Sequence, residues 1–269
     1  MMIKGWQGEA LNTAPDSENR IHGDDVAQRF GFQGGLVPGV TISAYLIQPA
    51  VAAWGMKFLD RGAAHVRVTS PLYDEESFQV QILSQGNAHY EAQLVRAGGS
   101  ISASAEVSLP ELAASPPARN HDPIAAPEYV GPPASIDTLT RLQQEGCVAY
   151  RYHWGAKHRM QHYLRDMSVM PALLTGDNAY ANMSYLLGIS NWILAGNAYM
   201  NPWIHLETTS QNYRPVPQGT DIVAEMRVVE FFEKKGHEFV DVNVALFDES
   251  DDTCLMTVRQ RAIYKLRGS

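Results

Sequence analysis

Two long apolar runs stand out along the chain, and each is followed by a train of alternating segments. The first, "VTISAYLIQPAVAAWGMKFL" from Val40 to Leu59, is too long and too evenly apolar for a strand. It predicts a buried helix, with Pro49 kinking it or ending a turn. Period-two segments follow from Ala64 to Leu109, separated by turns, and predict an antiparallel meander. The second run, "GDNAYANMSYLLGISNWILAG", predicts another helix, opening at Thr175-Gly176-Asp177-Asn178. Alternating segments from Ile204 to Leu266 then repeat the meander.

The repetition holds element by element. "SPLYDEESFQVQIL" lines up with "YRPVPQGTDIVAEMRV", a turn leading into a strand. "QGNAHYEAQLVRAGG" lines up with "KKGHEFVDVNVALFDESDD", a hairpin turn and then an alternating strand. His65 and His205 each open the first strand of their set. Between the two sets, residues 110–135 are rich in proline and poor in periodic hydrophobicity, which reads as an extended linker. The organisation is therefore 1–109, a linker over 110–135, and 136–269. The linker is expected to cross the outside of the sheet, because a buried loop strands its polar backbone groups.

A long helix wrapped by a curved antiparallel sheet resembles the hotdog fold, and two copies in one chain resemble a double hotdog, an α+β architecture. That resemblance implies a monomer that mimics a hotdog dimer, with a homodimer of such chains as a further level of assembly.

Composition narrows the partners. A formal net charge of -8, with 45% hydrophobic and 19% charged residues, describes a soluble protein without the cationic face that nucleic acid or an anionic membrane requires. No apolar stretch is long enough for a membrane span. The opening "MMIKGWQGEALN" lacks the apolar centre of a secretory signal, and the two cysteines, Cys147 and Cys254, form neither a disulfide framework nor a metal pair. A cytoplasmic location is the expectation. No Gly-x-Gly-x-x-Gly or P-loop pattern is present, so no nucleotide cofactor is implied. His158 and His162 stand four apart, as on one helix face, but no third ligand accompanies them at a metal-binding spacing, and no metal is expected.

The most specific stretch is "DSENRIHGDDVAQRFGFQGGLVPGV", Asp16 to Val40. Asn19-Arg20-Ile21-His22, Asp24, Gly31-Phe32 and Pro38-Gly39 resemble the motif of the MaoC-like (R)-specific enoyl-CoA hydratases and dehydratases. The turn "RPVPQGTD", Arg214 to Asp221, resembles that group's second element. The resemblance implies reversible hydration of a 2-enoyl thioester, carried on CoA or on an acyl-carrier protein. Such chemistry needs a base for water, an acid for the α-carbon and a donor for the enolate oxygen. His22 matches the acid–base residue, and the Gly39 N–H at a helix start matches the donor. Ser17 stands where the motif has its carboxylate, with Asp16 one position earlier. Asn19 orients the loop, Pro38 replaces a histidine ahead of the glycine, and Asp24 is expected to cap the helix "DVAQRFGF". Asn19, Pro38, Asp177 and Arg214 form the expected substrate-binding set. The alternatives are an acyl-CoA thioesterase working through Asp177 and a non-catalytic thioester-binding protein. The aromatic residues Tyr180, Tyr185, Trp192, Tyr199 and Trp203 are expected in the core and the acyl-tunnel wall.

Overall fold

Both apolar runs form helices, with limits set by capping and glycine rather than by hydrophobicity alone. The computed structural model describes residues 2–156 and 158–268, with the backbone only at Arg159. Its elements are β1 (Trp6–Glu9), α1 (Asp24–Arg29), α2 (Gly39–Trp54), α3 (Met56–Arg61), β2 (Ala63–Val68), β3 (Ser77–Gln85), β4 (His89–Arg96) and β5 (Ile101–Ser108). There follow α4 (Ile136–Glu145), β6 (Tyr150–His153), α5 (Met183–Asn197), β7 (Ile204–Asn212), β8 (Asp221–Lys234), β9 (His237–Asp248) and β10 (Cys254–Lys265).

Helix α2 runs through Pro49 without ending there. The break comes at Gly55, whose φ of 54° lies in the left-handed region that a side chain disfavours. Every residue from Gly39 to Val51 is buried, which explains a helix that is apolar on all sides. Helix α5 starts later than its hydrophobicity predicts. Asn182 caps it by accepting a hydrogen bond from Tyr185 N at 2.9 Å, leaving Thr175 to Asn178 in a turn ahead of the helix.

The ten strands form one sheet in the order β1-β3-β4-β5-β2-β7-β10-β9-β8-β6. Read from its centre outward, the order is a palindrome: β2, β5, β4, β3, β1 on one side match β7, β10, β9, β8, β6 on the other. The seam is the antiparallel pair β2–β7, with His65 opposite Thr209. The fold is thus an α+β double hotdog. Its two central helices pack against each other near their starts, where a buried hydroxyl chain runs Thr13–Thr41–Ser184 at 2.9 and 3.0 Å. One continuous apolar core draws on both halves, including Tyr45, Phe58, Tyr90, Trp154, Tyr185 and Leu187. Burying each such side chain stabilises the fold by about 1.5–3 kcal/mol before entropy is set against it.

Residues 117–122 lie on the outer face of the second half's strands, while Ile124 bridges to Ala149 and Ala134 N donates to Tyr199 O beyond the end of α5. Glu225 on β8, only 3% exposed, accepts hydrogen bonds from Arg119 Nε at 3.2 Å and from the backbone N–H of Asn120 at 2.7 Å and Asp122 at 3.2 Å. Arg227 returns the contact to Asp122 at 2.6 and 2.8 Å. The linker is a pinned strap. Among the described residues, no helix is long and apolar enough to cross a membrane.

Candidate functional site

The loop between β1 and α2 folds around its own polar side chains. Asn12 Nδ2 donates to His22 O at 2.8 Å, and Asn12 Oδ1 accepts from Ala14 N at 3.1 Å. Asp24 does not cap α1. Gly23 occupies the cap position, and Asp24 Oδ1 instead accepts from Gly35 N at 2.7 Å. That bond folds the "GFQGG" turn back over the histidine, which is why the carboxylate is spent there.

His22 ends a 3-10 turn, Arg20–His22, and its Nδ1 lies 2.7 Å from Leu36 O. A carbonyl oxygen only accepts, so Nδ1 carries the proton and Nε2 keeps its lone pair. The Asn19 Nδ2 amide, 3.4 Å from Nε2, agrees with that tautomer. Burial lowers the His22 pKa, partly offset by the Leu36 bond, so the ring is neutral at neutral pH. The Asn19 amide also grips the Trp203 backbone on both sides, donating to its carbonyl at 3.0 Å and accepting from its N–H at 3.1 Å. Arg20 N donates to Asn201 Oδ1 at 3.0 Å. The histidine loop of the first half is thereby latched to the second half.

Helix α2 opens at Gly39 behind Pro38, with no side chain capping it. Its first N–H groups have no partner within the helix and stand at the positive end of its dipole. A Cβ on Gly39 would come within 2.7 Å of His205 Cδ2, so only glycine lets that ring lie against the helix start. His205 is fully engaged: Nδ1 lies 3.0 Å from Asn191 Oδ1 and Nε2 lies 2.6 Å from Thr208 Oγ1. Burial drops its pKa to about 4, which keeps it neutral. Its inward direction comes with a bulge in β7, where Glu207 faces Arg261 but His205 faces Ala262. His65, by contrast, bonds Glu207 at 2.6 Å and lines the opposite surface.

Two adjoining chambers meet at this point. The smaller, about 150 Å³, is lined by Gly39, His205 and apolar side chains such as Leu36, Ile42 and Leu206. The larger, about 540 Å³, lies between the halves, with Asp16, Ser17 and Pro38 on one wall and Trp192, Tyr199 and Met200 on the other. Asn19, His22, Asn191 and Trp203 line both chambers and form the neck between them. The arrangement suits an elongated, mostly apolar molecule with one polar centre at the neck. There a lone pair on His22 and the open N–H groups of α2 are within the same enclosure.

The sequence-predicted residues divide into two groups. His22, Asn19 and Gly39 come together at the neck, while Asp16, Ser17 and Pro38 line the larger chamber. Asp16 is exposed there, and Ser17 Oγ donates to Asn19 O at 3.2 Å. Asp177 and Arg214 line neither chamber. Asp177 is exposed in the turn ahead of α5, displaced because the Asn182 cap starts the helix after it. Arg214 follows β7 and pairs with Asp251 at 2.7 Å, which ties its turn to the β9–β10 connection. His158 and His162 do not share an α-helical face: a 3-10 turn separates them, and the His158 ring packs on Tyr185 and Trp192 at centroid distances of 4.6 and 4.9 Å. Of the aromatic residues, Trp192, Tyr199 and Trp203 wall the larger chamber, and Tyr185 is buried behind them.

Asn191, His205 and Thr208 form a hydrogen-bonded group at the neck that the sequence does not single out as site residues. Asn191 left one signal, a lone amide inside the apolar run "SYLLGISNWILAG". His205 left none, since its inward face depends on the bulge.

No protein-family model and no curated protein matches the sequence. Solved structures match in fold. A double-hotdog protein of Mycobacterium tuberculosis is 11% identical, with 97% of this chain and 94% of that chain covered and a TM-score of 0.57. The dehydratase domain of RzxB from Pseudomonas fluorescens is also 11% identical, with 86% of each chain covered and a TM-score of 0.54. A Lactobacillus plantarum protein provisionally described as an oleoyl thioesterase is 10% identical, with 97% of this chain and 96% of that chain covered and a TM-score of 0.51. At such identities the likeness is one of fold.

Proposed function

We propose that the protein is an enzyme of acyl thioesters, and specifically a hydro-lyase that interconverts 2-enoyl and (3R)-hydroxyacyl thioesters. The observation that carries this reading is the His22 tautomer: Nδ1–H is fixed on Leu36 O, so the Nε2 lone pair belongs to the chamber that also receives the start of α2. In hydration, Nε2 takes a proton as water oxygen bonds the β-carbon. The C=C electrons move to the thioester oxygen, which the Gly39 N–H holds, and His22 returns the proton at the α-carbon. Water has then added across the double bond with no redox change, so the step requires no cofactor. Asp16 is a carboxylate of the adjoining larger chamber, which Glu18 also lines and His22 shares, and it is the candidate partner for the water. Ser17 has its hydroxyl committed to the loop backbone.

In this reading residues 1–109 supply the acid–base loop and the helix terminus. Residues 136–269 supply the tunnel wall, residues 110–135 link the two halves, and one chain stands in for a hotdog dimer. Thioester hydrolysis is the competing activity, since the same lone pair can activate water against the carbonyl. Asp177 does not support it, lying outside both chambers. The test is turnover of a 2-enoyl thioester, presented on CoA and on a carrier protein, beside a saturated acyl thioester of equal length. Hydration of the first without hydrolysis of the second supports the reading; hydrolysis alone replaces it, and binding with neither reaction leaves a thioester-binding protein.

A further inference from the structure

The neck holds a polar side chain whose hydrogen-bonding capacity the fold leaves open. Asn191 lies in the middle of α5, is 9% exposed, and lines both chambers. Its Oδ1 is turned to His205 Nδ1 at 3.0 Å, which places Nδ2 on the other side of the amide. Among the described residues Nδ2 has no protein acceptor, yet it is not one of the sealed polar atoms that lack a partner, which are Gln48 Oε1 and Gln260 Nε2. The donor therefore faces open chamber. An amide inside an apolar helix costs about 1–3 kcal/mol when a donor goes unused. Leu or Met would fill the position without that cost.

The orientation is built in layers. Thr208 Oγ1 meets His205 Nε2 at 2.6 Å, so the hydroxyl donates there and the ring proton sits on Nδ1, aimed at Asn191 Oδ1. The same ring lies against the Gly39 backbone, where an added Cβ would be 2.7 Å from Cδ2. One imidazole thus spaces two donors on the inner chamber: the Gly39 N–H from the first half and the Asn191 Nδ2–H from the second.

We infer that Asn191 is a catalytic residue whose Nδ2–H, together with the Gly39 N–H, holds the thioester oxygen as it gains charge, with His205 as the positioning residue. The inference rests on the thioester reading above but not on hydration, because any attack on the carbonyl or its conjugated alkene sends electrons to that oxygen. Two preorganised donors in a water-poor neck stabilise the charge far more than one, and removing one such donor lowers kcat by about 100- to 1,000-fold. The Nδ1–H of His205 holds the Asn191 oxygen and thereby turns Nδ2 the other way.

The experiment reads the donor directly. Butyryl-pantetheine labelled with ¹³C at its carbonyl is bound to the protein, and the carbonyl stretch is measured by difference infrared spectroscopy. The wild type and His22→Ala are expected to lower the frequency equally relative to free solution. Asn191→Ala should lose most of that shift, and Asn191→Asp, close to isosteric, should do no better, since a carboxylate cannot donate. His205→Phe fills the same space without ring nitrogens and should weaken the shift, a change that packing alone does not produce. Hydration of crotonyl-pantetheine should fall about 100-fold in kcat in Asn191→Ala with little change in KM. A full shift retained in both Asn191 variants overturns the inference, as does the absence of any shift in the wild type. Loss of the shift in the Asn191 variants from a wild type that does not hydrate keeps the donor pair and overturns hydration instead.

Discussion

The starts of α2 and α5 occupy matching places in the two halves and are finished in opposite ways. At α5, Asn182 accepts from Tyr185 N and its Nδ2 donates to Met160 O at 2.8 Å, so a side chain caps that helix start. At α2, Pro38 offers no side-chain acceptor, the Thr41 N–H turns back to Pro38 O at 2.9 Å instead, and Gly39 lines the smaller chamber. The loops ahead of the helices follow suit. The first half turns the His22 Nε2 lone pair toward the neck, with the Asn19 amide 3.4 Å away, whereas the second packs His158 against two aromatic rings. The duplicated fold thus caps one helix start with a side chain and sets a bare glycine on a chamber at the other.

Removing His22 breaks the comparison most directly. His22→Ala is expected to lower turnover of a 2-enoyl thioester by about 100-fold or more, the scale of general acid–base assistance. In the wild type the acid limb of kcat/KM should lie below 6.5, the ordinary imidazole value, because burial lowers the His22 pKa and only the neutral ring acts as base. A limb at or above that value would contradict the buried site.

The second test concerns the ring between the two donors. His205 is neutral in both folded and unfolded chains above pH 6.5, but between 6.5 and about 4 only the unfolded chain takes up a proton. Stability should therefore fall with falling pH across that window, by about 3 kcal/mol at most. Denaturant midpoints measured against pH should give a flatter curve for His205→Phe than for the wild type.

Substitutions at the termini themselves come next. Gly39→Ala drives a methyl group into the His205 ring and should destabilise the protein by about 1–3 kcal/mol while also lowering turnover. Asn182→Ala removes the α5 cap and should reduce stability by about 1 kcal/mol with turnover unchanged. Equal losses of activity in the two variants would erase the functional difference between the termini. The smallest effects are expected at Asp177→Asn and Arg214→Ala, within about 0.5 kcal/mol in stability and about twofold in turnover, since both groups are exposed and outside the chambers. A large loss at Asp177 would return thioester hydrolysis to the front.

Sequence alone determined the parts whose cause is local. Two continuous apolar runs can only be helices enclosed by other elements, and period-two segments with turns at matching intervals can only form meanders on one buried face. Asn19-x-x-His22 ahead of Pro38-Gly39 marked the loop that lies at the neck. Tertiary structure decided whatever depends on a choice among equivalent local options. A capping asparagine, not the hydrophobic pattern, sets the start of α5 and leaves Asp177 outside. A one-residue bulge in β7 turns His205 inward, although its neighbours in sequence give no sign of it. Asn191 is one amide in an apolar helix until His205 takes its oxygen and leaves its nitrogen facing the chamber. The physical reason is range: propensity and periodicity act over a few residues, whereas these orientations depend on hydrogen bonds between β7 and α5 and on the contact of both with the start of α2.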